Sequence, residues 1–164
     1  MTESQRQPVP RNDAGELDTA MAFLDFARSC VLKKAAGLGE EQLRRVLVDS
    51  GTNLLGLVKH LTTAERVWFG HDLLGGEPDP DWDFAMEVPA ERSAEQVLAD
   101  YREAIQASNA AVREVGDPAA LMARPVGDER LSLRWLLAHA TSETARHAGH
   151  ADILREQIDG VTGR

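Results

Sequence analysis

Residues 131–157 read LSLRWLLAHATSETARHAGHADILREQ. With no proline and only Gly149 to weaken it, the stretch predicts one long helix. Alternate steps of three and four residues trace Leu133, Leu136, Ala140, Glu143, His147, His150 and Leu154, the line a bundle helix turns toward its neighbours. The line starts and ends apolar, but its middle carries a carboxylate and two imidazoles. Such groups are costly to bury unless they are paired or bound to a metal. Glu143 and His147, four apart, stack one turn above the other and can reach one ion. His150 lies three further on, and His139, four before Glu143, is close to the same face. A Glu-x-x-x-His pair supplies two ligands, and an open zinc site needs three from protein. The third must come from another helix.

The second helix is expected from about Asn53 to Leu74, and it offers His60. Its line runs Leu57, His60, Ala64, Val67, His71, Leu74, so His60 has apolar positions one turn away on either side. A histidine so placed is also a common core or boundary residue. Glu65 and Arg66 read as solvated charges, and Trp68 and Phe69 as core or groove-lining bulk.

The rest of the chain supplies the frame. A polar tail over residues 1–12 precedes one domain over 13–164. The first helix is expected to start at Asp13, where Asp13 and Glu16 resemble a capping pair. Leu17, Met21, Leu24 and Val31 follow at helical spacing, until Gly37 and Gly39 end it. Glu40–Arg45 predicts a short connecting turn of helix. The segment GGEPDPDWDFAMEVPAER, residues 75–92, is a loop by its prolines and glycines. Tight antiparallel helix connections take roughly 2–8 residues. This one is longer, and at ~3.3 Å per extended residue it can cross a whole helix and leave helices two and three parallel. Trp82 and Phe84 within it are expected over the bundle end, as candidate pocket residues with Trp68. Ser93 and Gln96 form a capping box for the third helix, which Gly116 and Pro118 end. The architecture expected is an all-α four-helix bundle with a long crossover between helices 2 and 3.

Composition excludes several classes. With 164 residues and 43% hydrophobic content the chain can bury one sizeable core. A net charge of −9 argues against nucleic acid, whose binding rests on Lys and Arg. No segment has the apolar length of a membrane span, and the N-terminus lacks the apolar core of a signal peptide. Cys30 stands alone, so no internal disulfide forms, and a cytoplasmic location is the expectation. Its place in a helix pattern reads as a buried structural thiol.

Two segments also carry a resemblance. Leu55-Gly-Leu-Val-Lys-His60-Leu with Glu65-Arg-Val-Trp-Phe69 resembles the second-helix signature of the DinB-like superfamily. Leu133-Arg-Trp-Leu-Leu, with Glu143-Thr-Ala-Arg-His147-Ala-Gly-His150-Ala-Asp152, resembles its fourth-helix signature. The branch most similar is the actinobacterial group related to mycothiol S-transferases, and the similarity runs from Glu16 onward. It implies the same bundle and crossover, and a divalent metal, zinc or nickel, on His60, Glu143 and His147. Many members have three histidines; Glu143 in the middle position is similar to the maleylpyruvate isomerase relatives. His150 matches no ligand of that triad and stands as a residue behind the ligands, a substrate contact or an alternative ligand.

The function that follows is a divalent-metal-dependent thiol S-transferase. Its partners are a low-molecular-weight thiol, mycothiol by resemblance, and an electrophilic small molecule to be detoxified. The thiolate is the nucleophile, so the protein need not provide one. Arg28, Arg134 or Arg146 are candidates for the thiol's polar groups, or are solvated. A thiol-dependent isomerase on the same triad and a non-enzymatic metal- or ligand-binding stress protein are the alternatives. A homodimer is a further expectation, with no exposed apolar stripe to identify its interface.

Overall fold

The computed structural model describes residues 8–78 and 82–163. The first seven residues of the expected tail, and residues 79–81 of the crossover, lie outside the described residues. The helices are α1 (Glu16–Ala35), α2 (Glu40–Arg44), α3 (Leu54–Glu65), α4 (Ala94–Val115) and α5 (Leu133–Asp159). A π-helical segment, Arg66–Leu73, continues α3. No helix among the described residues is long and apolar enough to cross a membrane.

Side-chain caps set most starts. Asn53 accepts from the Gly56 N–H at 2.8 Å, and Ser132 accepts from the Trp135 N–H at 3.4 Å. Ser93 and Gln96 form the expected capping box. The start of α1 differs from the sequence expectation. Gly15 precedes it in extended conformation without a side-chain cap, and Asn12 instead accepts from the Ala14 N–H at 3.0 Å.

Ion pairs and hydrogen bonds give the direction of each helix. Arg134 at the start of α5 pairs with Glu16 at the start of α1. Arg155, near the end of α5, donates to the Lys34 and Ala36 carbonyls at the end of α1, each at 2.8 Å. Thus α1 and α5 are parallel. So are α3 and α4: Leu54 and Leu57 share a cluster with Ala94 and Val97, and the Ser108 hydroxyl meets the Glu65 carbonyl at the far end. The two pairs oppose each other, since His60 of α3 lies beside His147 and Trp68 beside His139. The crossover explains the parallel α3–α4 pair, as the loop length predicts.

The crossover is fastened to α3. Lys59 pairs with Asp83 and donates to the Ala85 carbonyl at 3.0 Å, while Thr63 donates to the Asp83 carbonyl at 3.2 Å. The loop passes so close that a Cβ on Gly56 would stand 2.0 Å from the Met86 carbonyl oxygen. Only glycine fits there.

Two apolar clusters fill the bundle. One joins Cys30, Val31, Leu55, Leu57, Leu61, Tyr101 and Leu154. The other joins Leu24, Phe69, Leu73, Met122, Leu133, Leu136 and Leu137. Between them lies a polar layer. Arg28, 1% exposed, forks onto the Glu65 carboxylate at 2.7 and 2.5 Å and reaches Asp25 and Asn109 at 2.8 and 2.7 Å. Burial opposes the Arg28 charge most strongly, but the Glu65 and Asp25 carboxylates together outweigh it and raise the guanidinium pKa. The expectation that Glu65 is a solvated charge is therefore corrected: it is 4% exposed. Arg28 is likewise committed within the core and is not a surface anchor for a thiol.

Candidate functional site

The same polar layer opens, on the α3–α5 side, into a cavity of about 220 Å³. His60, Leu61, Ala64, Trp68 and Phe69 line it from α3 and its π-helical extension. His139, Ala140, Glu143, Thr144 and His147 line it from α5. Phe84 comes from the crossover, and Glu65 lies at the boundary with the core.

One end of the cavity gathers the three residues expected to bind a metal. The His60 and His147 rings meet edge to face, with centroids 4.8 Å apart. Glu143 Oε2 stands 3.9 Å from His147 Nε2, and Glu143 Oε1 is 3.6 Å from Arg146. His60 Nδ1 is 2.8 Å from the Phe84 carbonyl oxygen. A carbonyl only accepts, so Nδ1 carries the proton and Nε2 keeps its lone pair. His147 is 7% exposed, and its Nδ1 is buried without a hydrogen-bond partner. Among the described residues, no three or more His, Cys, Asp or Glu side chains form a ready-made metal cluster.

Burial, then the neighbouring His60 and His150, push the His147 pKa down to about 4, against the pull of Glu143. In the unfolded chain a histidine takes up its proton near pH ~6.5. The unfolded state thus binds more protons between these values, and stability falls as pH drops through that window. Metal-free protein should lose thermal midpoint between pH 6.5 and 4 more steeply than His147→Gln. Superimposable pH profiles for the two proteins would refute this.

The other expected site residues separate. Trp68 and Phe84 line the cavity. Trp82 does not: it meets His71 edge to face at 4.9 Å and borders a separate surface groove with Lys59 and Asp83. The Lys59–Asp83 pair fixes the loop beside it, and places its ring away from the cavity. His150 is exposed, though its ring is 5.5 Å from that of His147. The buried face of α5 here comprises Thr144, His147, Ala148, Ala151 and Leu154, and His150 lies just outside its edge. Arg134 is paired with Glu16, and Arg146 is exposed beside Glu143. Cys30 is buried in the first apolar cluster and is not a lining residue.

Two lining features escape the sequence reading. Glu65 at the cavity boundary is fixed by a partner from another helix. The π-helical turns carry Trp68 against His139, with centroids 4.7 Å apart. The expected line through Val67, His71 and Leu74 gives way there, and Leu74 is exposed. A π turn takes more residues than an α turn, so the buried positions slip forward.

The model of one protein family, described as mycothiol-S-transferase, matches residues 19–160. The chain belongs to that family. Its function is accordingly of the mycothiol-related S-transferase type, and its thiol partner is of the mycothiol class. No curated protein matches the chain. The matched span includes α3, the crossover and α5, and hence every residue of the cavity.

Proposed function

We propose that the chain is a metal-dependent thiol S-transferase that joins mycothiol to small electrophiles in the α3–α5 cavity. The observation that carries this reading is the pair of imidazoles, His60 and His147, beside Glu143 at one end of a largely apolar cavity. The donor set suits a divalent ion. His60 offers Nε2 while the Phe84 carbonyl holds its other nitrogen, an arrangement typical of metal-binding histidines. His147 stays neutral to about pH 4 and has a buried nitrogen without a partner. Glu143 has the Arg146 guanidinium 3.6 Å away, beyond hydrogen-bond reach. Zinc or nickel on these residues, with one position open, would supply a Lewis acid that keeps a thiol deprotonated near neutral pH.

The protein's own contributions are positioning and exclusion of water. The cavity of about 220 Å³ is smaller than the ~300 Å³ at which drug-sized ligands begin to fit. It therefore admits the sulfur-bearing end of the thiol and the reacting part of the electrophile, with the rest of the thiol outside. Trp68, Phe69 and Phe84 keep water from the sulfur and raise its nucleophilic strength. The sulfur bonds to the electrophilic carbon, the leaving group departs with its electron pair, and the thiol proton goes to solvent.

Zinc-loaded protein, mycothiol and a panel of alkyl and aryl halides provide the test. Thiol loss should exceed the protein-free rate for at least one halide and fall to that rate after chelation. Equal thiol loss with and without protein across the panel would sink the transferase reading.

A further inference from the structure

The cavity has a second end. From His147 back to His139 is eight residues of α5, or about 12 Å along the helix. There the lining is aromatic. His139 lies flat on Trp135, with ring centroids 4.9 Å apart and planes within 7°, and Trp68 meets His139 edge-on at 4.7 Å. The rings of Trp68 and Trp135 are themselves 5.9 Å apart. Trp68 and His139 line the groove from its two sides, Trp135 braces His139, and α3 departs from ordinary helical turns at the segment that carries Trp68. Wide turns of this kind are frequent at functional sites.

We propose that the wall formed by Trp68 and His139, with Trp135 stacked on His139, is the docking site of the electrophile and selects flat, aromatic or conjugated molecules. This rests on the S-transferase reading for its chemistry but not for its geometry. A planar ring gains from a rigid aromatic surface what a small aliphatic electrophile cannot, because stacking and edge contacts need a partner π-system. Glu143 lies on the path between the wall and His147. An activated aryl halide on the wall aims its halide-bearing carbon along the groove toward His60 and His147. The thiol sulfur bonds to that carbon, and halide leaves with the electron pair of the broken bond.

Binding of 1,3-dinitrobenzene, which has the flat ring but no leaving group, tests the wall without any turnover. Calorimetry should show binding to wild type, roughly tenfold weaker binding to Trp68→Leu, and near-complete recovery in Trp68→Phe. His139→Leu gives the same comparison should Trp68→Leu fail to fold. In transfer assays, Trp68→Leu should raise KM for 1-chloro-2,4-dinitrobenzene by a similar factor relative to KM for iodoacetamide in the same variant. No binding to wild type, or equal binding to wild type and both leucine variants, would overturn the proposal even if thiol transfer is strong. Trp68-dependent binding with no transfer would leave the wall in place and remove the transferase reading instead.

Discussion

His147→Ala protein is expected to come out of a zinc incubation nearly free of metal, while wild type treated alongside it carries close to one equivalent. The basis is the position of His147 in the middle of the donor set, next to His60 and Glu143. Disturbing a residue behind the ligands typically weakens metal affinity by ~10–100-fold, so loss of a direct ligand should exceed about a hundredfold. Thiol transfer should fall by at least the same factor. Thermal denaturation without metal separates this from damage to the fold, because His147 to Ala removes a neutral ring from the edge of the core. Inductively coupled plasma mass spectrometry reads the outcome. Wild type that takes up neither zinc nor nickel would end the metal reading and its thiolate chemistry together, and leave family membership intact.

The second large effect is on stability. Arg28→Ala should lower the thermal midpoint by roughly 6–20 °C. Removing one member of a buried ion pair costs about 3–5 kcal/mol, because the other charge is left without compensation. For a chain of this size each kcal/mol shifts the midpoint by about 2–4 °C. The stranded group would be Glu65, 4% exposed and bordering the cavity. The double variant Arg28→Met, Glu65→Leu should recover most of the loss, since two apolar groups can fill the same volume without desolvation cost. Differential scanning calorimetry on the three proteins decides it. A single variant within about 1 °C of wild type would show that the pair contributes little.

These residues also mark how far the amino-acid sequence can be read. The four long helices follow from periodicity and from local caps such as Ser93 with Gln96, which act within one turn of chain. The parallel course of α3 and α4 follows from the length of the crossover. His60, Glu143 and His147 could be singled out because polar groups interrupt apolar lines, and the structure brings the three together. The Arg28–Glu65 pair was hidden, because its partners are far apart in sequence and each alone has the spacing of a surface charge. His150, expected on the buried line, lies exposed at its edge, because a line of threes and fours does not mark how wide the buried arc is. The expected capping pair at Asp13 and Glu16 failed where Gly15 adopts an extended conformation instead. Trp82 could not be placed from composition, since its position depends on the Lys59–Asp83 contact.

The π-helical run from Arg66 to Leu73 has a consequence for how such chains diverge. Each residue of an ordinary helix turns the chain by about 100°. A wide turn absorbs an additional residue while the bundle keeps its ends. Deleting one residue from this run would restore ordinary turns and swing a different side chain to the position Trp68 now holds. His60, a full turn and more upstream, would keep its place. On the proposed reading, electrophile preference and the imidazole pair are thus set independently, one by the length of a helix and the other by the identity of its residues.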